Sequence, residues 1–126
     1  PAQLDTLNRI VYFHVRRAVE TIRAEKKACG CALFAVDAIN LIQSGLASLC
    51  DVTVGVTAPQ EVRLARIMAR DGIERRYALL RIRAQEPESY FRTHCSYILE
   101  NGEISQEEFQ IQAEALLDKI IKENAK

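Results

Sequence analysis

Hydrophobic and polar positions along the chain predict a long helix first, then short strands separated by helices. Over residues 3–28, apolar side chains recur at steps of three and four with charged residues between them, which is typical of an amphipathic α-helix. Gly30 is expected to end this helix. The apolar positions are Leu4, Leu7, Val11, Val15, Ala18 and Ile22.

Two apolar runs predict strands. Residues 31–36 (CALFAV) are too few for a helix and are typical of a strand covered on both faces. Asp37 would lie at the carboxyl end of this strand, where an acid either contacts magnesium or a substrate hydroxyl or caps a helix. Residues 51–56 (DVTVGV) are rich in β-branched side chains. Residues 96–99 (SYIL) fit a strand or a helix end, and their polar flanks favour a strand.

Helices are predicted between and after these strands. A short helix is expected to end near Ser44 and Gly45. Residues 59–72 and 74–85 predict two further helices, because proline opens the first and a break follows each of them. Pro87 forces the second break.

The last helix is predicted to begin at a capping box formed by Ser105 and Glu108. The alternation of helices and strands predicts one α/β domain over residues 1–126, with a three-layer parallel sheet, flanking helices and right-handed crossovers. The short helices over about residues 70–95 are expected to form a helical lid.

Arginine is concentrated in residues 63–92, which hold eight of the twelve arginines and no lysine. A guanidinium group offers paired donors that match two oxygens of a phosphate or carboxylate, whereas an ammonium group acts as a point charge. The stretch therefore indicates phosphate handling. The alternative is that these arginines pair with neighbouring acids on solvated helix faces.

Composition narrows the classes of partner. Lysine plus arginine equals aspartate plus glutamate at 17 each, so broad nucleic-acid binding is disfavoured. No segment approaches the roughly 20 apolar residues that span a bilayer, and the amino terminus lacks a signal-peptide core, so a cytoplasmic protein is expected. No metal site is expected, because the cysteines lack zinc-site spacing; they are expected to be reduced and mostly buried.

Residues 37–72, 81–87 (RIRAQEP) and 96–101 (SYILEN) carry a more specific pattern. Its most distinctive pieces are Ser44-Gly45-Leu46, Arg70-Asp71-Gly72, Arg81 with Gln85, and Asn101. In this order and spacing they resemble the carboxyl-terminal two-thirds of the dephospho-coenzyme A kinase family. The resemblance implies a P-loop kinase fold and, in the intact enzyme, phosphorylation of the ribose 3′-hydroxyl of dephospho-coenzyme A with ATP and magnesium.

The resemblance also implies site residues. Arg70 and Arg81 match lid arginines that contact the phosphates of ATP or the adenine face, which implies a catalytic role for both and cofactor binding for Arg70. Gln85 matches the glutamine that ends the lid helix, and Asn101 matches the asparagine at the adenine pocket; both are implied to bind the cofactor. Asp37 matches the end of a strand on the substrate side.

The chain departs from the family pattern in two ways. The 126 residues contain no G-x-x-x-x-G-K-[ST] loop, so the chain is expected to be an inactive fragment that lacks the central P-loop strand. The strands predicted at 31–36 and 52–56 would then have unpaired edges, which predicts self-association or an altered sheet. The family usually has other residues at Tyr12, Phe13, Ile39, Gln43 and near Phe91.

Two other functions stay open from the residues alone. One is a kinase of the same fold that acts on a nucleoside or another small metabolite. The other is a P-loop-less adaptor that binds a partner or an anionic ligand through its arginines.

Overall fold

The computed structural model describes residues 2–124, which form five α-helices, one 3₁₀ helix and two β-strands. They fall into two compact units, the first ending at Asp51 and the second beginning at Val52. The prediction of one domain over residues 1–126 stays a prediction.

The first unit is built on a long helix, α1 (Ala2–Ala28). The backbone N–H of Gly30 bonds to the carbonyl of Lys27, and the N–H of Cys31 bonds to the carbonyl of Lys26, both at 3.0 Å. These two bonds close the last turn of the helix. The predicted helix over 3–28 and its end at Gly30 are therefore confirmed.

The strand predicted at residues 31–36 is wrong. This segment has irregular backbone, although it is as apolar as the sequence suggests. A strand is stable only beside another strand that accepts its hydrogen bonds, and within the described part of the chain none pairs with this one. The short helix predicted to end near Ser44 is also wrong, because residues 39–45 form turns that lead into a 3₁₀ helix, Leu46–Leu49.

Arg16 attaches this 3₁₀ helix to α1. Its Nη1 donates to the carbonyl of Gly45 at 3.2 Å and to Oγ of Ser48 at 3.1 Å. Little else within the first unit covers α1, so most of its apolar side chains stay exposed to solvent.

The four cysteines are free thiols, but the expectation that most are buried is wrong. Cys29 and Cys31 are exposed because they lie in the turn after α1. Cys50 and Cys95 are partly buried, and desolvation raises the pKa of both thiols.

The second unit contains a parallel pair of strands, β1 (Val54–Thr57) and β2 (Tyr97–Glu100). Thr53 and Ser96 join the strands at their starts: Thr53 N–H donates to Oγ of Ser96 at 3.2 Å, and Ser96 N–H donates to Oγ1 of Thr53 at 3.0 Å. The α/β class with a parallel sheet and flanking helices is confirmed.

One face of this sheet is covered by the helix α4 (Glu88–His94). A Cβ atom added at Gly55 would lie 3.3 Å from Cβ of Phe91 and 2.9 Å from Cδ1 of Ile98. Only glycine lets the helix approach the strand this closely.

The arginine-rich helices α2 (Gln60–Asp71) and α3 (Arg75–Arg83) pack on each other through a small core of Leu64, Ala78 and Ile82. Their predicted positions, 59–72 and 74–85, are confirmed to within two residues.

The last helix, α5 (Gln106–Asn124), begins at the predicted capping box. The N–H of Ser105 donates to Oε2 of Glu108 at 2.8 Å, and the N–H of Glu108 donates to Oγ of Ser105 at 3.1 Å. The hydrogen bond from the Ser105 N–H is the largest cause of a lowered pKa for the Glu108 carboxyl, and the Ser105 side chain acts in the same direction.

Candidate functional site

The carboxyl-terminal end of α2 brings together Arg70, Asp71 and Arg81. Arg70 donates from Nε to Oδ1 of Asp71 at 2.7 Å and from Nη2 to Oδ2 at 3.1 Å. Arg81 reaches the same carboxylate from α3 and donates from Nη1 to Oδ2. One carboxylate thus holds two guanidinium groups from two helices.

Gly72 makes this arrangement possible. Its φ of 62° is left-handed, and its N–H bonds to the carbonyl of Met68 at 3.0 Å. A glycine adopts this conformation without steric penalty, so the chain leaves α2 directly after Asp71 and turns back into α3. The turn places Arg81 beside the end of the preceding helix.

The carboxylate of Asp71 is held in its charged form. The hydrogen bond from Arg70 is the largest cause of a lowered pKa for Asp71, and the positive charges of Arg70 and Arg81 act in the same direction. The same hydrogen bond raises the pKa of Arg70. At neutral pH the cluster therefore carries two positive charges and one negative charge.

Gln85 follows the end of α3 and contacts α2. Its side-chain Oε1 accepts a hydrogen bond from Nη2 of Arg63. Gln85 thus lies on the arginine-bearing side of α2, and the bond joins the residues after α3 to α2.

Asn101 lies directly after β2 and is held by Arg66. Arg66 donates from Nη1 to the backbone carbonyl of Asn101 at 2.9 Å, and from Nη2 to Oδ1 of Asn101 at 3.2 Å and to the carbonyl of Gly102 at 2.9 Å. Because Oδ1 accepts from Arg66, the amide orientation is fixed and its Nδ2 group remains able to donate to a ligand.

A buried hydroxyl lies at the same edge of the sheet. Thr57 ends β1, and its carbonyl accepts the N–H of Asn101 at 2.7 Å. Its Oγ1 is buried and has no hydrogen-bond partner among residues 2–124. A buried hydroxyl without a partner at the carboxyl end of a parallel strand fits a ligand-binding edge.

Asp37 lies in the first unit, outside any strand. The sequence predicts it at the carboxyl end of a sheet strand, and that position does not exist because residues 31–36 form no strand. Its predicted role in substrate binding stays a prediction.

Sequence reasoning missed three partners: Asp71, Arg63 and Arg66. The sequence marks Asp71 only as a helix end, although it stands inside the distinctive Arg70-Asp71-Gly72 piece. Arg63 and Arg66 share a polar face of α2 with Arg70, which is the one signal that links them. Their partners Gln85 and Asn101 lie on later elements, and sequence spacing does not reveal such contacts.

Three further arginines of this stretch pair with separate glutamates on exposed surfaces, which for these three agrees with the alternative of solvated helix charge. The pairs are Arg75 with Glu61 and Arg76 with Glu74, both at 3.0 Å, and Arg92 with Glu88 at 2.7 Å.

Across residues 2–124, no three histidine, cysteine or acidic side chains come together in a way that could hold a metal ion. No helix in this part of the chain combines the length and apolarity required to cross a membrane.

The family model for dephospho-CoA kinase matches residues 1–107 of the sequence. The chain belongs to the dephospho-CoA kinase family. The match includes every site residue that the sequence singled out, from Asp37 to Asn101, and the resemblance seen in the sequence is confirmed.

Individual relatives agree with this assignment. A dephospho-CoA kinase of Thermus thermophilus is 34% identical over 101 residues, which are 80% of this chain and 48% of that protein. A dephospho-CoA kinase of Deinococcus radiodurans is 33% identical over 102 residues, or 81% of this chain and 49% of that protein. The chain therefore spans about half the length of the curated relatives it matches.

A solved structure has the same fold. The crystal structure of TT1252 from Thermus thermophilus superposes with a TM-score of 0.66 at 30% sequence identity, covering 94% of this chain and 60% of that one. The likeness supports the parallel α/β architecture of the family.

Proposed function

We propose that this chain is part of a dephospho-coenzyme A kinase, which in its intact form transfers a phosphoryl group from ATP to the ribose 3′-hydroxyl of dephospho-coenzyme A. The observation that carries the proposal is the meeting of Arg70 and Arg81 on one carboxylate, within the residues that match the family. The 126 residues alone are proposed to be inactive, since they contain no phosphate-binding loop.

Arg70 and Arg81 are proposed as the catalytic arginines. When bound, ATP supplies the phosphoryl group. Negative charge on the phosphoryl oxygens must be stabilised during transfer, and positioned guanidinium groups do this without reorganising at the moment of reaction. Their remaining N–H groups match phosphate oxygens in geometry and charge.

The residues at the carboxyl edge of the sheet are proposed to bind the nucleotide. Asn101 is proposed to donate from its amide to the adenine, because Arg66 occupies the opposite side of that amide. The backbone carbonyl of Thr57 accepts the N–H of Asn101, and the partnerless hydroxyl of Thr57 is proposed as a further polar contact. Gln85, which follows the end of α3 in the predicted lid, is proposed to contact the bound nucleotide.

The acceptor side is proposed from the family resemblance. Asp37 would contact dephospho-coenzyme A, and the residues that depart from the family pattern would shape how tightly that substrate binds. Tyr12 and Asn40 are joined in the first unit, where Nδ2 of Asn40 donates to the Tyr12 hydroxyl at 3.3 Å.

Magnesium is proposed to act with ATP in the intact enzyme, where the nucleotide phosphates and one or two carboxylates would hold it. Because no group of three metal-ligating side chains exists among residues 2–124, we assign no residue of this chain to the ion.

The edge of β1 opposite β2 is proposed as a surface for self-association. The carbonyls of Thr53 and Thr57 bond to β2, so the backbone groups of Val54 and Val56 point away from it. Val56 is also 60% exposed. An unpaired edge with apolar side chains can pair with another strand. Light scattering after size exclusion should show oligomers of the 126-residue chain, and a monomer across all concentrations would reject this surface.

An acceptor assay tests the main proposal. The full-length protein that carries this chain is supplied with ATP and either dephospho-coenzyme A, a panel of nucleosides or shikimate. We expect ADP release with dephospho-coenzyme A, and mass spectrometry should place the new phosphate on the 3′-hydroxyl. Preferential turnover of another acceptor would reject the substrate, and turnover by the 126-residue chain alone would reject its inactivity. A cytoplasmic location is proposed with this function and can be checked by cell fractionation.

A further inference from the structure

The carboxylate of Asp71 lies between the two proposed catalytic arginines. We propose that Asp71 is a positioning residue, which fixes Arg70 and Arg81 relative to each other before the phosphates of the nucleotide arrive. The inference rests on the proposed function, since it assigns these arginines to phosphate binding, and it gives a role to Asp71, to which the family resemblance assigned none.

The contact geometry supports this role. Arg70 bonds to both carboxylate oxygens of Asp71, at 2.7 and 3.1 Å, which fixes the plane of its guanidinium group. Arg81 comes from the next helix and bonds to Oδ2, the oxygen that also accepts from Nη2 of Arg70. Asp71 is therefore the only described residue that bonds to both arginines.

Exposure differs between the carboxylate and its partners. The side chain of Asp71 is 21% exposed, whereas those of Arg70 and Arg81 are 73% and 52% exposed. The acid thus lies on the protein side and the arginines on the solvent side. Long exposed side chains lose rotamer freedom when they bind a ligand, and prior ordering by Asp71 removes part of that loss.

The charge of the cluster still favours an anion. Two guanidinium groups and one carboxylate leave one net positive charge. Arg70 uses its Nε and Nη2 for Asp71, and Arg81 uses only Nη1, so each arginine keeps N–H groups for phosphate oxygens.

A competing role is physically distinct. If Asp71 instead occupied the arginines as a substitute for phosphate, its removal would release them and strengthen nucleotide binding. If Asp71 positions the arginines, its removal should weaken nucleotide binding, because the released arginines must be ordered when the nucleotide binds. The sign of one substitution therefore separates the two roles.

Kinetics of the full-length enzyme measure that sign. Asp71→Asn should lower kcat/KM for ATP about tenfold while the KM for dephospho-coenzyme A stays unchanged. In an Arg81→Met background, Asp71→Asn should lower kcat/KM for ATP less than about threefold, since no second arginine remains to be positioned. Glu74→Gln is the matched control, because it removes an exposed carboxylate whose ion-pair partner among residues 2–124 is Arg76. Higher ATP affinity, an unchanged kcat/KM or full additivity would each overturn the proposal.

Arginine dynamics in the 126-residue chain give a readout that does not depend on catalysis. Nitrogen-15 relaxation at Nε should show that Asp71→Asn mobilises Arg70 and Arg81 but leaves Arg76 unchanged. If that variant does not fold, Asp71→Glu, which keeps the charge but moves the carboxylate, should produce the same mobilisation. Arginines that stay equally ordered in a folded variant would overturn the positioning role. If the full-length protein does not turn over dephospho-coenzyme A, the proposed function is rejected. The relaxation measured at Arg70 and Arg81 would still test whether Asp71 positions them.

Discussion

Two regions of the second unit use the same residue types differently. At the end of α2, one carboxylate binds two arginines from two helices, and Arg66 nearby holds a loop through three hydrogen bonds. On the outer faces of α2, α3 and α4, exposed arginines pair with single exposed glutamates: Arg75 with Glu61, Arg76 with Glu74 and Arg92 with Glu88. The difference shows that shared and multiple contacts, and not arginine content, distinguish a candidate phosphate site from solvated helix charge.

The largest expected effect comes from breaking the packing that supports the first region. Leu64 is 1% exposed between α2 and α3, and Leu64→Ala should lower the free energy of unfolding by about 3 kcal/mol because it leaves a cavity. Chemical denaturation measures the change. Leu80→Ala, on α3 but 60% exposed, is the matched control and should stay within about 0.5 kcal/mol of the wild type. Equal effects of the two substitutions would contradict the assigned core.

Arg81→Met should lower kcat/KM of the full-length enzyme about 100-fold, because a positioned charge on the transferring phosphoryl group is lost. Arg76→Met removes an arginine from the same helix whose ion-pair partner among the described residues is Glu74, and activity should be retained. Steady-state kinetics with both variants measure the difference. Comparable losses in the two variants would mean that the shared carboxylate does not mark the functional arginines.

A smaller loss is expected at the loop after β2. Arg66→Met removes the bonds to Asn101 and Gly102, so the amide of Asn101 loses its fixed orientation. The KM for ATP should rise about tenfold, while the KM for dephospho-coenzyme A stays the same. Arg66→Lys should recover little, because a lysine cannot reproduce the planar fork of donors. A raised KM for the acceptor instead would contradict a role on the nucleotide side.

The smallest effect is expected on the outer faces. Arg75→Ala removes an exposed pair with Glu61 and should change the free energy of unfolding by no more than about 0.5 kcal/mol. Activity of the full-length enzyme should not change. A large loss of stability or of activity in Arg75→Ala would show that the exposed arginine–glutamate pairs also matter. The contrast between these pairs and the cluster at Asp71 would then be wrong.

Local signals in the sequence predicted most helices correctly. The spacing of apolar residues, Gly30, Pro87 and the capping box of Ser105 and Glu108 each act within a few residues, so the chain alone reveals them. The strand predicted at 31–36 was wrong because strand formation depends on a neighbouring backbone, which local composition does not report.

The site was predictable only in part for the same reason. The concentration of arginine and the family resemblance pointed to Arg70 and Arg81 as candidate site residues, but not to the carboxylate that they share. Asp71 contacts Arg81 because the turn at Gly72 directs the chain back, so that α3 places Arg81 beside the end of α2. The bond between Arg66 and Asn101 likewise joins elements that are distant in sequence.

The central claim is that Arg70 and Arg81 bind the phosphates of the nucleotide. A crystal structure of the full-length protein with a non-hydrolysable ATP analogue tests it most directly. We expect phosphate oxygens within about 3 Å of guanidinium nitrogens of both arginines, with Asp71 still bonded behind them. Phosphates bound elsewhere, with Arg70 and Arg81 still engaged only by Asp71, would contradict the claim.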